Sequence, residues 1–415
     1  MYKESIHEDS KIVSAICMVV IGLWVANLSY GLEDVTGISY EFFSTISKML
    51  IFISLLYALP SLLRRISIML IGILGSVMLV SVIQYVFFIE TWSYYSDYLD
   101  SFLLTILPVL ICFSVLKDYR LLFERMSLTC KALSACLLIC FIVFRGNIFS
   151  SQGYSMGFSN IMCFITNVIL IDFMLVKKEK KHVFFIGILL ISNIYAIMIF
   201  GSRGGFVGVA ACFIVLLLKK KYNTSLKNQI IIKTTIILVI LALVVFYKEI
   251  LMVVYSIIKF LGQDSRTLYL AIYMPSYNSR RSDLWISAFN IIEEAPLSIR
   301  GIASDRIGIG SYCHSLPIEL IYDFGIILGS ILFFGIVVGI IRTIIMSKSH
   351  FALTELMVLF GFFPVLLWTE TIWNSMFFWA WFIIHISRKR IERSNTKSLL
   401  FESYSEEVIL DGFIR

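Results

Sequence analysis

The chain has 415 residues, of which 59% are hydrophobic and 15% are charged, and its mean hydropathy is +0.89. This apolar content exceeds what the core of a soluble domain of this length needs, so the composition argues against a soluble globular protein. The net charge of +7 lies mostly in short loops where membrane topology requires it, and so predicts no nucleic-acid partner.

Apolar segments recur along nearly the whole chain, most of them near the roughly 17 to 25 residues that a helix needs to cross a bilayer. Helices are the expected spanning element because lipid offers the backbone no hydrogen-bond partner. Twelve spans are predicted, at 12–30, 41–63, 66–88, 101–116, 128–144, 158–176, 183–200, 206–218, 230–247, 316–341, 351–368 and 375–387. The two short segments, 206–218 and 375–387, predict helices that are tilted, partly re-entrant or extended into their flanks.

The orientation follows from the cations, because Lys and Arg in short loops are retained in the cytoplasm. One set of alternate short loops contains clustered cations, whereas the short loops of the opposite set, at 31–40, 89–100, 145–157, 201–205 and 369–374, contain only Arg145 and Arg203. Both termini are therefore predicted in the cytoplasm. The first apolar segment is interpreted as a span and not as a cleavable signal peptide.

The predicted organisation has four parts. Spans one to nine occupy 1–247, a large outer loop with amphipathic helices occupies 248–315, spans ten to twelve occupy 316–387, and 388–415 form a cytoplasmic tail. The sequence contains no Walker motif, no dinucleotide fingerprint and no paired-cysteine motif. No cofactor and no metal are therefore predicted.

The first candidate site is the Gly-Ser-Arg-Gly-Gly motif at 201–205, which closes the seventh span on the outer side. Its glycines let the backbone turn tightly and approach a ligand, and Arg203 offers a planar fork of hydrogen-bond donors. An interfacial turn with a snorkelling arginine accounts for the motif equally well.

The second candidate site is a pair of arginines in the outer loop. Arg280 and Arg281 precede Asp283 and Trp285 in a predicted amphipathic helix that ends before Pro296. Guanidinium groups near a membrane surface suit the phosphates of a lipid carrier, because they bind phosphate bidentately. A capped surface helix whose arginines meet anionic headgroups is the alternative.

The third candidate site surrounds His314, the only histidine predicted on the outer side of the membrane. It precedes Glu319 and Asp323, two carboxylates four residues apart that share a helix face. An imidazole exchanges protons near neutral pH, as a general base must. A lone histidine at the start of a helix is more often a cap, and its coincidence with the arginines is what favours catalysis.

The order and sidedness of these motifs resemble the O-antigen polymerase and O-antigen ligase superfamily. The shared features are many spans, an outer Gly-Ser-Arg-Gly-Gly, an outer loop with Arg-x-x-x-Trp, a Pro- and Gly-rich stretch, and a His at the next span. In this chain the Arg-x-x-x-Trp motif runs from Arg281 to Trp285. Residue-level matches lie mainly within 201–208 and 279–329.

The chain also departs from the family pattern. Where family proteins often read His-Asn, this chain reads His314-Ser315. Where they read Gly-x-Gly after the proline, this chain has Arg300-Gly301 and Gly308-Ile309-Gly310.

The resemblance implies a metal-independent, GT-C-like glycosyltransferase of the bacterial inner membrane, whose sugar donor is an undecaprenyl-diphosphate-linked oligosaccharide. It implies that arginines hold the diphosphate, and they can stabilise that leaving group without a metal. The arginines concerned are Arg203, Arg280, Arg281, Arg300 and Arg306. His314 is the expected general base, with Glu319, Asp323 and Asp283 as alternatives. Membrane lipid and a separate chain-length regulator are the other expected partners.

Three functions remain open at this point. A polymerase joins lipid-linked repeat units, whereas a ligase transfers the polymer to the lipid A core. The departures of this chain from the tighter motif of the ligases favour a polymerase. A transporter of lipid-linked oligosaccharide would need polar groups along a path through the membrane. The candidates for such groups are Lys48, Lys131, Asp172, Lys233 and Glu355. They are scattered across the spans, which suits local pairing as well.

Overall fold

The computed structural model describes residues 2–66, 68–144, 155–176, 180–220, 225–274, 281–345, 350–368 and 371–387. Within these ranges the regular elements are helices, and no strand occurs. The predicted all-α class is therefore confirmed.

The described ranges contain seventeen α-helices. The first nine are α1 (Tyr2–Thr36), α2 (Tyr40–Leu63), α3 (Ile68–Phe87), α4 (Trp92–Ser101), α5 (Leu107–Val115), α6 (Tyr119–Val143), α7 (Met156–Leu175), α8 (Lys180–Phe200) and α9 (Arg203–Lys219). The later ones are α10 (Leu226–Val245), α11 (Tyr247–Phe260), α12 (Arg266–Tyr273), α13 (Arg281–Glu294), α14 (Ser304–Gly308), α15 (Leu316–Ile345), α16 (His350–Trp368) and α17 (Met376–Ser387). A π turn at Phe102–Ile106 joins α4 to α5, and a 3-10 turn at Ile372–Asn374 precedes α17.

Seven of the described helices are long and apolar enough to cross a membrane, namely α1, α2, α3, α6, α7, α8 and α15. Helices α10 and α11 make an eighth if their bend of 71° lies within one broken span. Each of the twelve predicted segments overlaps a helix, but α9 has only 17 residues and the segment 101–116 is divided by the π turn. Length and composition thus support a multi-pass membrane protein with seven or eight spans in the described part of the chain.

Helix α7 lies at the centre of the bundle. Most of its side chains from Phe158 to Asp172 are buried, and it packs against α1, α6, α8, α9 and α16. Two of its polar side chains bind neighbouring helices: Asn167 Nδ2 donates to Phe360 O at 3.1 Å, and Lys131 Nζ lies 2.5 Å from Asp172 Oδ2. Such pairing is what an ionisable group requires when it is buried among apolar helices.

Helix α15 consists of two pieces that meet at a kink. Gly325 has a φ of 73° and a ψ of 168°, which are not helical values. A Cβ at this position would lie 3.0 Å from the carbonyl carbon and oxygen of Leu297, so glycine both permits the backbone conformation and admits the neighbouring chain. The kink separates residues 316–324, which carry the predicted catalytic carboxylates, from the long apolar piece 326–345.

Candidate functional site

The loop that precedes α14 is docked on the first piece of α15 by main-chain hydrogen bonds. The N–H groups of Arg300 and Gly301 donate to Asp323 O at 2.9 and 3.1 Å, and the N–H of Ile326 donates to Pro296 O at 2.8 Å. These contacts satisfy backbone groups that the kink in α15 leaves without helical partners.

The same loop is bound from the other side by Gln84 of α3. Its Nε2 donates to Ile302 O at 2.9 Å and its Oε1 accepts from Ile302 N at 3.2 Å. A side-chain amide that pairs with both main-chain groups of one residue fixes the position of that residue closely. The loop is therefore held between α3 and α15.

Arg300 holds this arrangement together through its guanidinium group. Nη2 donates to Ile291 O and Ala295 O, both at 2.8 Å, and Nη1 donates to Tyr322 O at 3.2 Å. These carbonyls lie at the ends of α13 and of the first piece of α15, where a cation is favourable. The resemblance predicts that Arg300 binds diphosphate, whereas in the structure its guanidinium group joins two helix ends.

Three carboxyl groups meet in the interior behind this loop. Asp305, Glu319 and Asp323 are 1%, 2% and 0% exposed. Each accepts hydrogen bonds: Asp323 Oδ1 from Ser304 Oγ at 3.0 Å, Asp305 Oδ2 from the Cys313 N–H at 2.9 Å, and Glu319 Oε1 from the hydroxyl of Thr371. No group of three or more His, Cys, Asp or Glu side chains in the described ranges is arranged to hold a metal ion.

The carboxyl groups are close enough to influence one another. The charge of Asp305 acts on both Glu319 and Asp323. Burial raises the pKa of the Asp305 carboxyl, although the Cys313 N–H and the Arg306 guanidinium act in the opposite direction. The environment therefore favours a proton on Asp305 more than water does.

Arg306 is the cation of the site, and it is partly exposed. Its Nη2 and Nε donate to Tyr98 Oη at 2.9 and 3.3 Å. Its guanidinium carbon also lies 4.4 Å from the ring centroid of Tyr312, within the range of a cation–π contact. Two tyrosines thus position the guanidinium group beside the buried carboxyl groups.

His314 follows at the edge of the same site. Its φ of 51° lies in the left-handed region, which is uncommon for a residue other than glycine, and such conformations occur preferentially at functional sites. Its ring centroid is 3.8 Å from that of Tyr312, which also contacts Arg306. His314 is partly exposed as a residue, although its Nδ1 is buried, whereas the carboxyl groups of Glu319 and Asp323 are buried entirely.

The Gly-Ser-Arg-Gly-Gly motif lies on elements that contribute no side chain to the carboxyl cluster. Arg203 begins α9, and a Cβ at Gly205 would lie 2.2 Å from Ser159 Oγ of α7. The hydroxyl of Thr267 in α12 donates to Gly201 O. At least one glycine of this motif is therefore required by helix packing.

Only the second arginine of the pair is among the described residues. Arg281 begins α13, whereas Arg280 lies outside the described residues. One turn further on, Trp285 Nε1 donates to Cys313 O at 2.8 Å. Helix α13 is thus anchored next to the residue that precedes His314.

The structure adds residues that the sequence did not single out as functional. Asp305 and Tyr98 come from α14 and α4, and Tyr312 immediately precedes Cys313. In the sequence, the adjacent opposite charges of Asp305 and Arg306 within a Gly-rich stretch were the feature that could have indicated a polar site there. Nothing in the sequence pairs Tyr98 with Arg306, since 208 residues separate them.

An apolar cavity of about 290 Å³ adjoins the site. Helices α3, α4 and α17 line it together with Ile302 and Trp373. Tyr98, whose hydroxyl binds Arg306, is part of this lining. A polar site and an apolar cavity therefore share one wall.

The comparisons with known proteins identify no relative. No family model, no curated protein and no solved structure matches the chain.

Proposed function

We propose that the chain is a membrane glycosyltransferase that acts on a polyprenyl-diphosphate-linked oligosaccharide, and that it is an O-antigen polymerase or a polymerase of a related surface polysaccharide. The observation that carries the proposal is the juxtaposition of Arg306, His314 and the buried carboxyl groups with an apolar cavity. A cationic group beside an apolar chamber suits an anionic lipid. A partly exposed histidine beside that cation suits proton transfer.

The reaction requires an acceptor hydroxyl to attack the anomeric carbon of the donor sugar. The bond from that carbon to the diphosphate oxygen breaks, the electron pair leaves with the polyprenyl diphosphate, and the hydroxyl proton passes to a base. His314 is the base in this proposal, because the residue is partly exposed while Glu319 and Asp323 are buried. Its Nδ1 is buried, so Nε2 is the nitrogen that would take the proton. Arg306 stabilises the charge that develops on the diphosphate, with Arg203, Arg280 and Arg281 as further contacts.

The carboxyl groups have a positioning role in this proposal. Asp305 binds the N–H of Cys313, the residue before His314, and Asp323 binds Ser304, the residue before Asp305. This chain of contacts fixes the short segment that carries both Arg306 and His314. Supporting contacts of this kind keep catalytic groups in a productive geometry.

The proposal places the site on the outer face of a bacterial inner membrane. The Lys and Arg distribution supports this orientation, since the loop that contains Arg306 and His314 is the long connection opposite the cation-rich loops. The same proposal includes twelve spans in a GT-C-like arrangement and cytoplasmic termini. The seven or eight described helices that are long and apolar enough to cross a membrane are compatible with twelve spans but fewer than that number.

A polymerase and a ligase are separated by the surface glycan of a deletion strain. Loss of a polymerase leaves lipid A core that carries a single repeat unit. Loss of a ligase leaves naked core and accumulated lipid-linked polymer. We expect the single-repeat glycan, restored by the parent gene and not by one encoding His314→Gln; naked core with accumulated polymer would assign the ligase reaction instead.

A further inference from the structure

Helix α11 carries an apolar stripe on its exposed side. The stripe consists of Ile250, Val253, Ile257 and Phe260, whose spacing places them on one face of a helix. Val253, Ile257 and Phe260 are 61%, 54% and 90% exposed in the described structure. A contiguous apolar surface of this kind marks a face that contacts another apolar phase.

The stripe is distinct from the face by which α11 packs on the rest of the chain. Ile258 is buried in the same core cluster as Leu268 and Ile272 of α12. Lys248 and Lys259, which are both exposed, lie between the packed face and the stripe on the remaining side. Helix α11 therefore has one face toward the protein, one polar face and one apolar face that the described residues leave open.

The start of α11 adjoins a helix that suits a bilayer. Helix α10 exposes apolar side chains along its length, among them Leu238, Leu241 and Val245, as a helix in contact with lipid does. The axis of α11 is bent by 71° from that of α10. If α10 crosses the membrane, α11 therefore lies much closer to the membrane plane than to the direction of the span.

The end of α11 is held at the same level through α12. The hydroxyl groups of Ser265 and Thr267 donate to the main-chain carbonyls of Met198 and Gly201 at the end of α8. Helices α8 and α10 both begin beside cation-rich loops, so their other ends lie on one side of the membrane. Both ends of α11 are thus tied to the same membrane surface, and its length of about 21 Å runs along that surface.

We propose that α11 is an interfacial helix whose apolar stripe is embedded in the lipid leaflet on the side of Gly201. Its partner is the boundary between headgroups and acyl chains, and the exposed lysines on its polar face suit anionic headgroups. The stripe is continuous with the lipid-facing surface of α10, which favours lipid as its occupant over a second protein. This inference does not depend on glycosyl transfer.

An interfacial α11 has two structural consequences. Helix α10 then crosses the membrane without α11, so the two helices are not halves of one broken span. The anchor also fixes the height of α12, whose Thr267 binds Gly201. The Gly-Ser-Arg-Gly-Gly motif therefore lies at the level of the lipid headgroups.

The test is a depth scan by electron paramagnetic resonance on the purified full-length protein in nanodiscs of phosphatidylethanolamine and phosphatidylglycerol. A nitroxide is attached to an unnatural amino acid, so that the native cysteines stay in place. Accessibility to oxygen, which partitions into lipid, is compared with accessibility to a water-soluble nickel chelate. The stripe positions are Val253, Ile257 and Phe260, and the matched controls on other exposed sides of the same helix are Met252, Ser256 and Lys259.

We expect the three stripe labels at a common depth of about 5 to 10 Å below the lipid phosphates, and the control labels at or above the phosphates. A depth that increases steadily along α11 regardless of face would show a broken span instead. Low accessibility to both reagents at the stripe would show a protein partner, such as a second copy of the chain. High accessibility to nickel there would show a helix in water. Each of these three results would overturn the proposal.

A pair of substitutions tests whether the stripe itself holds the helix in the leaflet. Ile257→Asp places a charge in the stripe on a side chain too short to reach water, whereas Ser256→Asp places it on the neighbouring exposed residue outside the stripe. The label at Val253 should lose its depth in Ile257→Asp and keep it in Ser256→Asp. An unchanged depth in a folded Ile257→Asp protein would contradict anchoring by the stripe.

Discussion

The role of His314 is the sharpest question at the level of single residues. A cap or structural hydrogen bond at this position is partly replaced by Gln, whereas a general base requires a group that titrates. We expect His314→Gln to lower the rate by roughly 10² to 10⁴-fold, the usual contribution of general acid–base catalysis. The rate is measured with purified protein and lipid-linked donor, after thermal unfolding has been matched to the parent. Activity near the parental level would move the base to Glu319 or Asp323.

Arg306 provides a second prediction at the same scale. Replacement by Lys keeps the charge but loses the planar group that binds Tyr98 through two nitrogens and stacks on Tyr312. We expect Arg306→Lys to reduce polymer formation by at least about tenfold, or ~1.4 kcal/mol of transition-state stabilisation.

Arg120→Lys is the matched control, because Arg120 pairs with Glu124 on an exposed helix surface. The same Lys substitution at Arg203 and Arg281 tests whether they also bind the diphosphate. Normal polymer from a well-expressed Arg306→Lys protein would remove this residue from the site.

At the scale of elements, the kink in α15 joins the membrane part of the chain to the site. Gly325→Ala should destabilise the protein by roughly 1 to 3 kcal/mol, because the backbone conformation there is almost restricted to glycine. Its Cβ would also contact Leu297 and Ser298 main-chain atoms at 3.0 and 3.1 Å. Thermal unfolding in detergent measures the effect.

Gly335→Ala is the matched control for the kink, since Gly335 lies in the same helix with no neighbour within 4 Å of a Cβ. This variant should be neutral or stabilised by up to roughly 1 kcal/mol. Equal unfolding temperatures for both variants would show that the kink is not a requirement of the fold.

Hydropathy predicted the position of the helices well, because apolar length is a local property of the sequence. It did not predict the kink, since nothing in the sequence distinguishes Gly325 from the three other glycines of the apolar segment 316–341; only the packing of the loop at Leu297 does. The site was predicted only in part, because sequence patterns show residues that are close along the chain and not contacts between distant elements. His314, Glu319 and Asp323 are neighbours in sequence, whereas the contacts of Arg306 with Tyr98 and of Arg300 with the ends of two helices are tertiary.

At the scale of the whole molecule, the orientation in the membrane decides where the site acts. We expect reporters at residue 220 and after 387 to lie in the cytoplasm, and a reporter at residue 264 to lie outside it, because cations in short loops are retained inside. Fusions to an enzyme that is active on only one side of the membrane measure this. A cytoplasmic signal at residue 264 would place Arg306 and His314 on the wrong side for the proposed reaction.

The formation of glycosidic bonds by the isolated protein tests the central claim most directly. The purified chain in nanodiscs is given the undecaprenyl-diphosphate-linked repeat unit of its source organism, and products are separated by length. The proposal predicts a ladder of lipid-linked multimers with release of one undecaprenyl diphosphate per bond, and no ladder from the folded His314→Gln protein. A well-folded parent protein that leaves the repeat unit unchanged, or that moves it across a membrane without forming a bond, would contradict the proposal.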